Sequence, residues 1–272
     1  MLKQRVLTAI PLAVLVVWGV ITQPEEIVLY ALLTVMLISG WEWARLSGIQ
    51  NTPLRLVYAV IICAVSYLAE QTLGENLNVL MGLLSFTVLA WCVAIFHMFS
   101  KGPQAANPSL SFFKLFIGFI ALIPPVLGLM LIRSEGAWWL FYCLSIVWVA
   151  DIGAYFSGKR FGKHKLAVKL SPGKTKEGLY GAIVLTAIYS VLAGLLFDLK
   201  IGALLGLLIV TIFATFMSVA GDLFVSLLKR EKDLKDTGNI LPGHGGILDR
   251  IDSVLSSAPF LALFLNWVIF NA

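Results

Sequence analysis

The residues of this 272-residue chain that could do chemistry crowd into one stretch, 221–252, which reads GDLFVSLLKREKDLKDTGNILPGHGGILDRID. It lies between two long apolar runs and gathers Asp222, Lys229, Arg230, Lys235, Asp236, His244, Asp249, Arg250 and Asp252. A charge at the edge of hydrocarbon costs on the order of several kcal/mol unless it is paired or bound to something charged. The mixture of signs suggests the partner. Carboxylates hold a hard metal ion, and lysine and arginine hold phosphates. The plainer reading is an inner loop whose basic residues merely fix topology.

The end of the stretch is its most unusual part. Gly243, Gly245 and Gly246 surround His244 and permit close backbone approach. Asp249 and Asp252 stand three residues apart where the last helix should begin, with Arg250 between them. A helix N-terminus favours such acids by its dipole alone. The functional reading is a Mg²⁺ site, since that ion takes one or two carboxylates together with phosphate oxygens and water. His244 could then hydrogen-bond a phosphate or a nucleotide, or simply be solvated. A second polar segment, 151–178, repeats the theme. Asp151 follows the apolar SIVWVA as Asp222 follows MSVAG, so two helices are each expected to end in a carboxylate. Asp151 shares a helix face with Tyr155, and Asp222 with Ser226 and Lys229 or Arg230. Each acid could instead be a helix-end anchor paired to a lysine.

Within 151–178, Gly173-Lys174-Thr175 looks like the tail of a phosphate-binding P-loop. Val168 stands where that motif needs glycine, and no buried strand precedes it, so the motif is rejected. Ser171 through Gly178 still reads as a turn opening a helix, with Thr175 as its cap. Free N–H groups there, with Lys174 and Lys176, suit a phosphate.

These residues must be positioned by a membrane bundle. The chain is 59% hydrophobic and 13% charged, with mean hydropathy +0.92. A soluble domain would carry roughly twice that charge. Apolar runs at 6–22, 27–41, 54–69, 77–98, 112–132, 137–156, 179–197, 201–225 and 253–271 predict about nine spans of an all-α polytopic protein. No linker or internal repeat divides them. Met1-Leu-Lys-Gln-Arg before the first run reads as the start of a retained helix rather than a signal peptide. Cys63, Cys92 and Cys143 lie in apolar runs without metal-ligand spacing and read as small hydrophobes. With the N-terminus inside, only Arg133 and Lys200 of the 20 lysines and arginines fall on the outer side. That asymmetry predicts N-in and C-out. The net charge of +5 then reflects the inner loops and not a nucleic-acid groove.

One resemblance organises all of this. Ser226, Lys229-Arg230, Lys235-Asp236, Gly238, Leu241-Pro242, His244-Gly245-Gly246 and Asp249-Arg250-Ile251-Asp252 fill every fixed position of a signature of phosphatidate cytidylyltransferases, also called CDP-diacylglycerol synthases. The chain also resembles bacterial members at Met1 through Arg5, Trp41-Glu42-Trp43, Asp151 through Tyr155, Gly158 and Ser171 through Gly178. The resemblance implies transfer of a cytidylyl group from CTP to phosphatidate, giving CDP-diacylglycerol and pyrophosphate. It also implies a Mg²⁺ requirement, with a second cation open, and a multi-pass inner-membrane location with the site facing the cytoplasm. On that reading Asp222, Lys229, Arg230, His244, Asp249 and Arg250 are the catalytic candidates. Ser171, Lys174, Thr175, Ser226, Lys235, Gly245 and Gly246 would bind substrate. Asp222 and Asp249 would share metal, with Asp151, Asp236 or Asp252 as further ligands. The whole chain, 1–272, forms one domain, in which 1–135 supplies N-terminal helices and 136–272 the catalytic part with inner segments 151–178 and 222–252. Its partners are CTP, phosphatidate and the bilayer, without nucleic acid, and a homodimer is left open. Two other functions stay in view: a CTP-dependent lipid-alcohol kinase, which would release CDP, and a lipid transporter, which would favour repeated halves and midplane charges.

Overall fold

A computed structural model describes residues 2–74, 76–101, 109–241, 243 and 245–270, with backbone alone for 2–9 and 101. Nine long helices run through them: α1 (Leu2–Thr22), α2 (Glu25–Leu46), α3 (Thr52–Leu73), α4 (Leu77–Lys101), α5 (Phe112–Ser134), α6 (Ala137–Phe161), α7 (Lys176–Leu196), α8 (Ile201–Arg230) and α9 (Leu248–Leu265). A π-helical turn, Asn266–Phe270, extends α9. Eight of the nine are long and apolar enough to cross a membrane, and the apolar part of α1 is Ile10–Thr22.

Local chemistry starts several of them. Asn51 accepts from Leu54 N (3.1 Å) at the head of α3, with Pro53 in its first turn. Ser111 caps α5 through Lys114 N (3.3 Å). Thr175 caps α7 through Gly178 N (3.1 Å), as its sequence predicts.

Packing sorts the helices into a centre and a rim. In α5 and α9, 67% of the span is buried inside the protein, against 22% in α3 and α4. Gly128 lets α5 approach α9 closely, where an added methyl would lie 3.1 Å from Ala262 Cβ. The rim helices turn large apolar side chains such as Phe96, Phe86 and Leu192 outward, which is expected where the solvent is lipid.

The helices outrun the apolar runs that announce them. Asp151 and Asp222 do not end their helices, because α6 continues to Phe161 and α8 to Arg230. The backbone keeps its own hydrogen bonds through the polar turns, and both carboxylates face a cavity instead of hydrocarbon. The α9 helix likewise begins at Leu248, before the hydropathy rises.

Loops of one parity meet at one end of the bundle. Ser111 N donates to Ser47 O (2.8 Å), Lys232 Nζ to Ser109 O (2.6 Å) and Arg45 Nη1 to Thr237 O (3.2 Å), while Lys114 pairs with Glu231 (2.7 Å). At the opposite end Arg133 donates to Gln23 O (2.9 Å) and faces Glu25 (3.8 Å). Between α6 and α7 the chain forms an antiparallel hairpin, β1 (Lys165–Ala167) and β2 (Ser171–Thr175). The segment expected as a simple turn from Ser171 is therefore a strand that runs directly into the α7 cap. Glu177 closes the hairpin's base by accepting from Lys163 N (3.1 Å) and His164 N (3.2 Å).

Candidate active site

Five aspartates from four elements line a single cavity of about 220 Å³ at the end where these loops meet. Asp151 comes from α6, Asp222 from α8, Asp236 from the α8–α9 loop, and Asp249 and Asp252 from α9. Lys229 and Arg250 share the lining. Two glycines explain much of the approach. A methyl on Gly221 would run into Asp252 O and Ser256 Oγ, so α8 and α9 come together next to Asp222. Gly245 adopts φ +83°, and a methyl there would press on Asp249 Oδ2 and Asp236.

Asp249 is fully engaged. Lys229 Nζ donates to Oδ1 at 2.7 Å. Oδ2 faces Thr237 N (2.8 Å), Gly246 N (3.0 Å) and Thr237 Oγ1 (3.0 Å). Both Lys229 and Asp249 are buried, so the pair is a fixed brace between α8 and α9. Asp222 is more open. Its Oδ2 meets Lys174 Nζ at 2.5 Å, and its Oδ1 accepts from Ser226 Oγ at 3.3 Å. Lys174 projects from β2 and lies within electrostatic reach of Asp151 and Asp252 as well. Lys174 thus acts on three acids, together with Arg250 at Asp151 and Lys229 at Asp252.

A second cavity, about 320 Å³, opens beneath the hairpin. It shares Asp151 with the first, and its walls mix Lys159, Lys174 and Tyr155 with Ala150, Leu166, Leu179 and Val219. Its character is that of a site for a molecule with one anionic end and one apolar end.

The sequence-derived candidates separate accordingly. Asp222, Lys229, Asp249, Arg250, Asp151, Asp236 and Asp252 come together. Ser226 holds Asp222, and Gly246 holds Asp249 through its N–H. Gly245 accepts from Leu241 N (3.0 Å) and shapes the loop. Thr175 lines the second cavity beside Lys174. Three candidates lie apart from the acidic cavity. Arg230 turns toward the hairpin and donates to Leu170 O (3.4 Å), Ser171 pairs with Ala167 in the sheet, and Lys235 is exposed. His244 lies outside the described residues.

Glu42 is absent from the sequence-based candidates and is 1% exposed directly behind the site. Its signal was partial: Glu42 stands between Trp41 and Trp43 at the end of an apolar run, where an acid is a candidate functional residue.

An all-oxygen donor set of clustered aspartates suits a hard divalent cation such as Mg²⁺. Among the described residues no three acidic, histidine or cysteine side chains already converge at coordinating distance. Asp151 and Asp252 line the cavity without a lysine paired to them among the described residues, whereas Asp222 Oδ2 is reached by displacing Lys174 and Asp249 Oδ1 by displacing Lys229.

Comparison with known proteins shows what the chain is similar to. The model of the cytidylyltransferase family matches residues 3–268. A Haemophilus influenzae protein named phosphatidate cytidylyltransferase is 35% identical, covering 99% of this chain and 100% of its own length. Proteins of the same name from Pseudomonas aeruginosa and Bacillus subtilis are 37% and 32% identical, each with 97% of both chains covered.

Proposed function

The chain belongs to the cytidylyltransferase family, and we propose that it transfers the cytidylyl group of CTP to phosphatidate, releasing pyrophosphate and leaving CDP-diacylglycerol in the membrane. The observation that carries this is the meeting of two unlike cavities at Asp151, with Lys174 of the second pairing with Asp222 of the first; one is lined by acids and cations, the other is largely apolar. The first suits a metal-bound triphosphate. The second suits a lipid phosphate whose acyl chains stay in the bilayer.

A phosphate monoester loses its second proton near pH 6, so the acceptor is already an anion at neutral pH and needs little help from a base. The obstacle is repulsion between that anion and the triphosphate. Oxygen of the lipid phosphate forms a bond to the α-phosphorus, and the bond to the β-phosphate oxygen breaks, with its electron pair leaving on pyrophosphate. Arg250 can grip phosphate oxygens in two parallel hydrogen bonds. Lys229, held on Asp249, presents a fixed positive charge in the cavity wall. Lys174, on the flap between the cavities, can exchange Asp222 for an arriving phosphate. Mg²⁺, held by Asp222 with Asp151 and Asp252, would supply charge neutralisation at the triphosphate.

The end bearing the site faces the cytoplasm of an inner membrane on this reading, because the hairpin and the α8–α9 loop concentrate the chain's lysines and arginines there. The test is purified protein with radiolabelled CTP, phosphatidate and Mg²⁺. A lipid-extractable cytidine product with one pyrophosphate per turnover is expected. Production of CDP with a phosphorylated lipid would replace the proposal with kinase chemistry. No nucleotide consumption would reject both.

A further inference from the structure

Resting on that reading, we infer that Glu42 of α2 is a positioning residue for the transfer site and acts through Thr237. Nothing in the chemistry of the acidic cavity requires α2, which contributes no lining residue to it. Yet Glu42 is buried behind it and accepts three hydrogen bonds from the segment that carries the site. Oε2 faces Thr237 Oγ1 and Leu248 N, both at 2.8 Å, and Oε1 accepts from Ile247 N at 3.1 Å. One turn further along α2, Arg45 Nη1 donates to Thr237 O at 3.2 Å. The two side chains therefore grip Thr237 from both ends, hydroxyl and carbonyl.

Thr237 is the residue that transmits the grip. Its N–H donates to Asp249 Oδ2, and its hydroxyl lies between Glu42 Oε2 and Asp249 Oδ2 at 2.8 and 3.0 Å, where its single proton serves one carboxylate at a time. Asp249 in turn fixes Lys229. The order of contact is Glu42, Thr237, Asp249, Lys229, and only the last two line the cavity.

The carboxylate also accounts for two glycines of the loop. A methyl on Gly238 would collide with Glu42 Oε1 and Cδ, and one on Gly246 with Thr237 Oγ1 and both Glu42 oxygens. The loop is built around this group. The Ile247 and Leu248 N–H groups can only donate, so each Glu42 oxygen must accept one of them. A glutamine would turn its NH₂ toward an N–H of Ile247 or Leu248, donor against donor.

The test compares Glu42→Gln, Thr237→Val and Thr237→Ser with wild type in purified, folded protein, recording kcat, the KM for each substrate and the thermal midpoint. Groups that orient a primary ligand typically change activity by about 10–100-fold. For Glu42→Gln and Thr237→Val the expected result is a kcat loss of that size, with each KM within about threefold of wild type. Thr237→Ser, which keeps the hydroxyl, should restore most of kcat. Combining Glu42→Gln with Thr237→Val should cost little more than the worse single change, because both break one chain of contacts. A folded Glu42→Gln protein with wild-type kcat would overturn the inference. If Glu42→Gln cannot be recovered folded, Thr237→Val decides, with wild-type kcat again overturning it. Recovery of neither variant in folded form assigns the contacts to folding alone and equally overturns it. A wild-type protein that makes no cytidylyl lipid would instead defeat the proposed function, so the two failures are distinct.

Discussion

Replacing Asp222 and Asp249 by asparagine separates charge that serves chemistry from charge that serves architecture. The two acids line one cavity, but their surroundings differ. The Lys174–Asp222 pair keeps 26% and 27% of its side-chain surface exposed. A pair so open to water contributes about 0–1 kcal/mol. An asparagine in place of Asp222 could still accept from Lys174 and turn its NH₂ toward the Ser226 hydroxyl, which can accept. Asp222→Asn should therefore unfold within about 1 kcal/mol of wild type. The Lys229–Asp249 pair is different, with 11% and 3% exposed and three further donors on Oδ2. An asparagine in place of Asp249 would keep its oxygen toward those donors and set its NH₂ against the Lys229 ammonium. Breaking a buried pair from one side costs about 3–5 kcal/mol. Turnover of Asp222→Asn should fall in spite of that stability. Asp222→Asn should lose about 100-fold or more, the equivalent of about 3 kcal/mol of transition-state stabilisation, and its residual rate should need more Mg²⁺. Thermal unfolding of both variants, with Mg²⁺ titrations of initial rate, reads all of this. An Asp222→Asn protein with unchanged rate and unchanged Mg²⁺ dependence would refute the metal assignment. An Asp249→Asn protein as stable as wild type would refute the brace.

Arg250→Lys should keep the fold and lose most activity, because an ammonium cannot reproduce two parallel bonds to phosphate; near-normal kinetics would make Arg250 an anchor. Cysteines placed at Lys165 and Lys235 should react with an impermeant thiol reagent only once the cytoplasmic face is opened, and labelling from outside intact cells would reverse the proposed orientation. Gly246→Ala should destabilise the protein by about 1–3 kcal/mol through overpacking against Glu42 and Thr237, measured as a lowered thermal midpoint; an unchanged midpoint would show that the loop yields freely.

Hydropathy made the spans legible, because hydrocarbon leaves the backbone few alternatives to a helix. The spacing of Asp222, Lys229, Asp249 and Asp252 likewise exposed most of the acidic cavity. Other features carried no local signal. The strands β1 and β2 are short and rich in lysine, glycine and proline, so their pattern reads as loop. The apolar runs stop at 156 and 225, short of the ends of α6 and α8, because hydropathy falls where the helix does not. The direction of Arg230 depends on the hairpin carbonyl it meets. Glu42 was visible as an acid between two tryptophans at the end of an apolar run, but its partners are separated from it by 195, 205 and 206 positions, beyond any periodicity.

Those separations also set a timetable for synthesis. At about 5–20 residues per second, the partners of Glu42 leave the ribosome roughly 10–40 s after it does. Throughout that interval α2 carries a carboxylate without Thr237, Ile247 or Leu248 to meet it. Its place near the loop end of α2 lets it wait at the aqueous boundary, three residues from Arg45. The final closure of the bundle is then the docking of the start of α9 onto a helix made long before. A nascent chain released before the α8–α9 loop would leave that carboxylate uncapped, a natural mark by which an unfinished copy differs from a finished one.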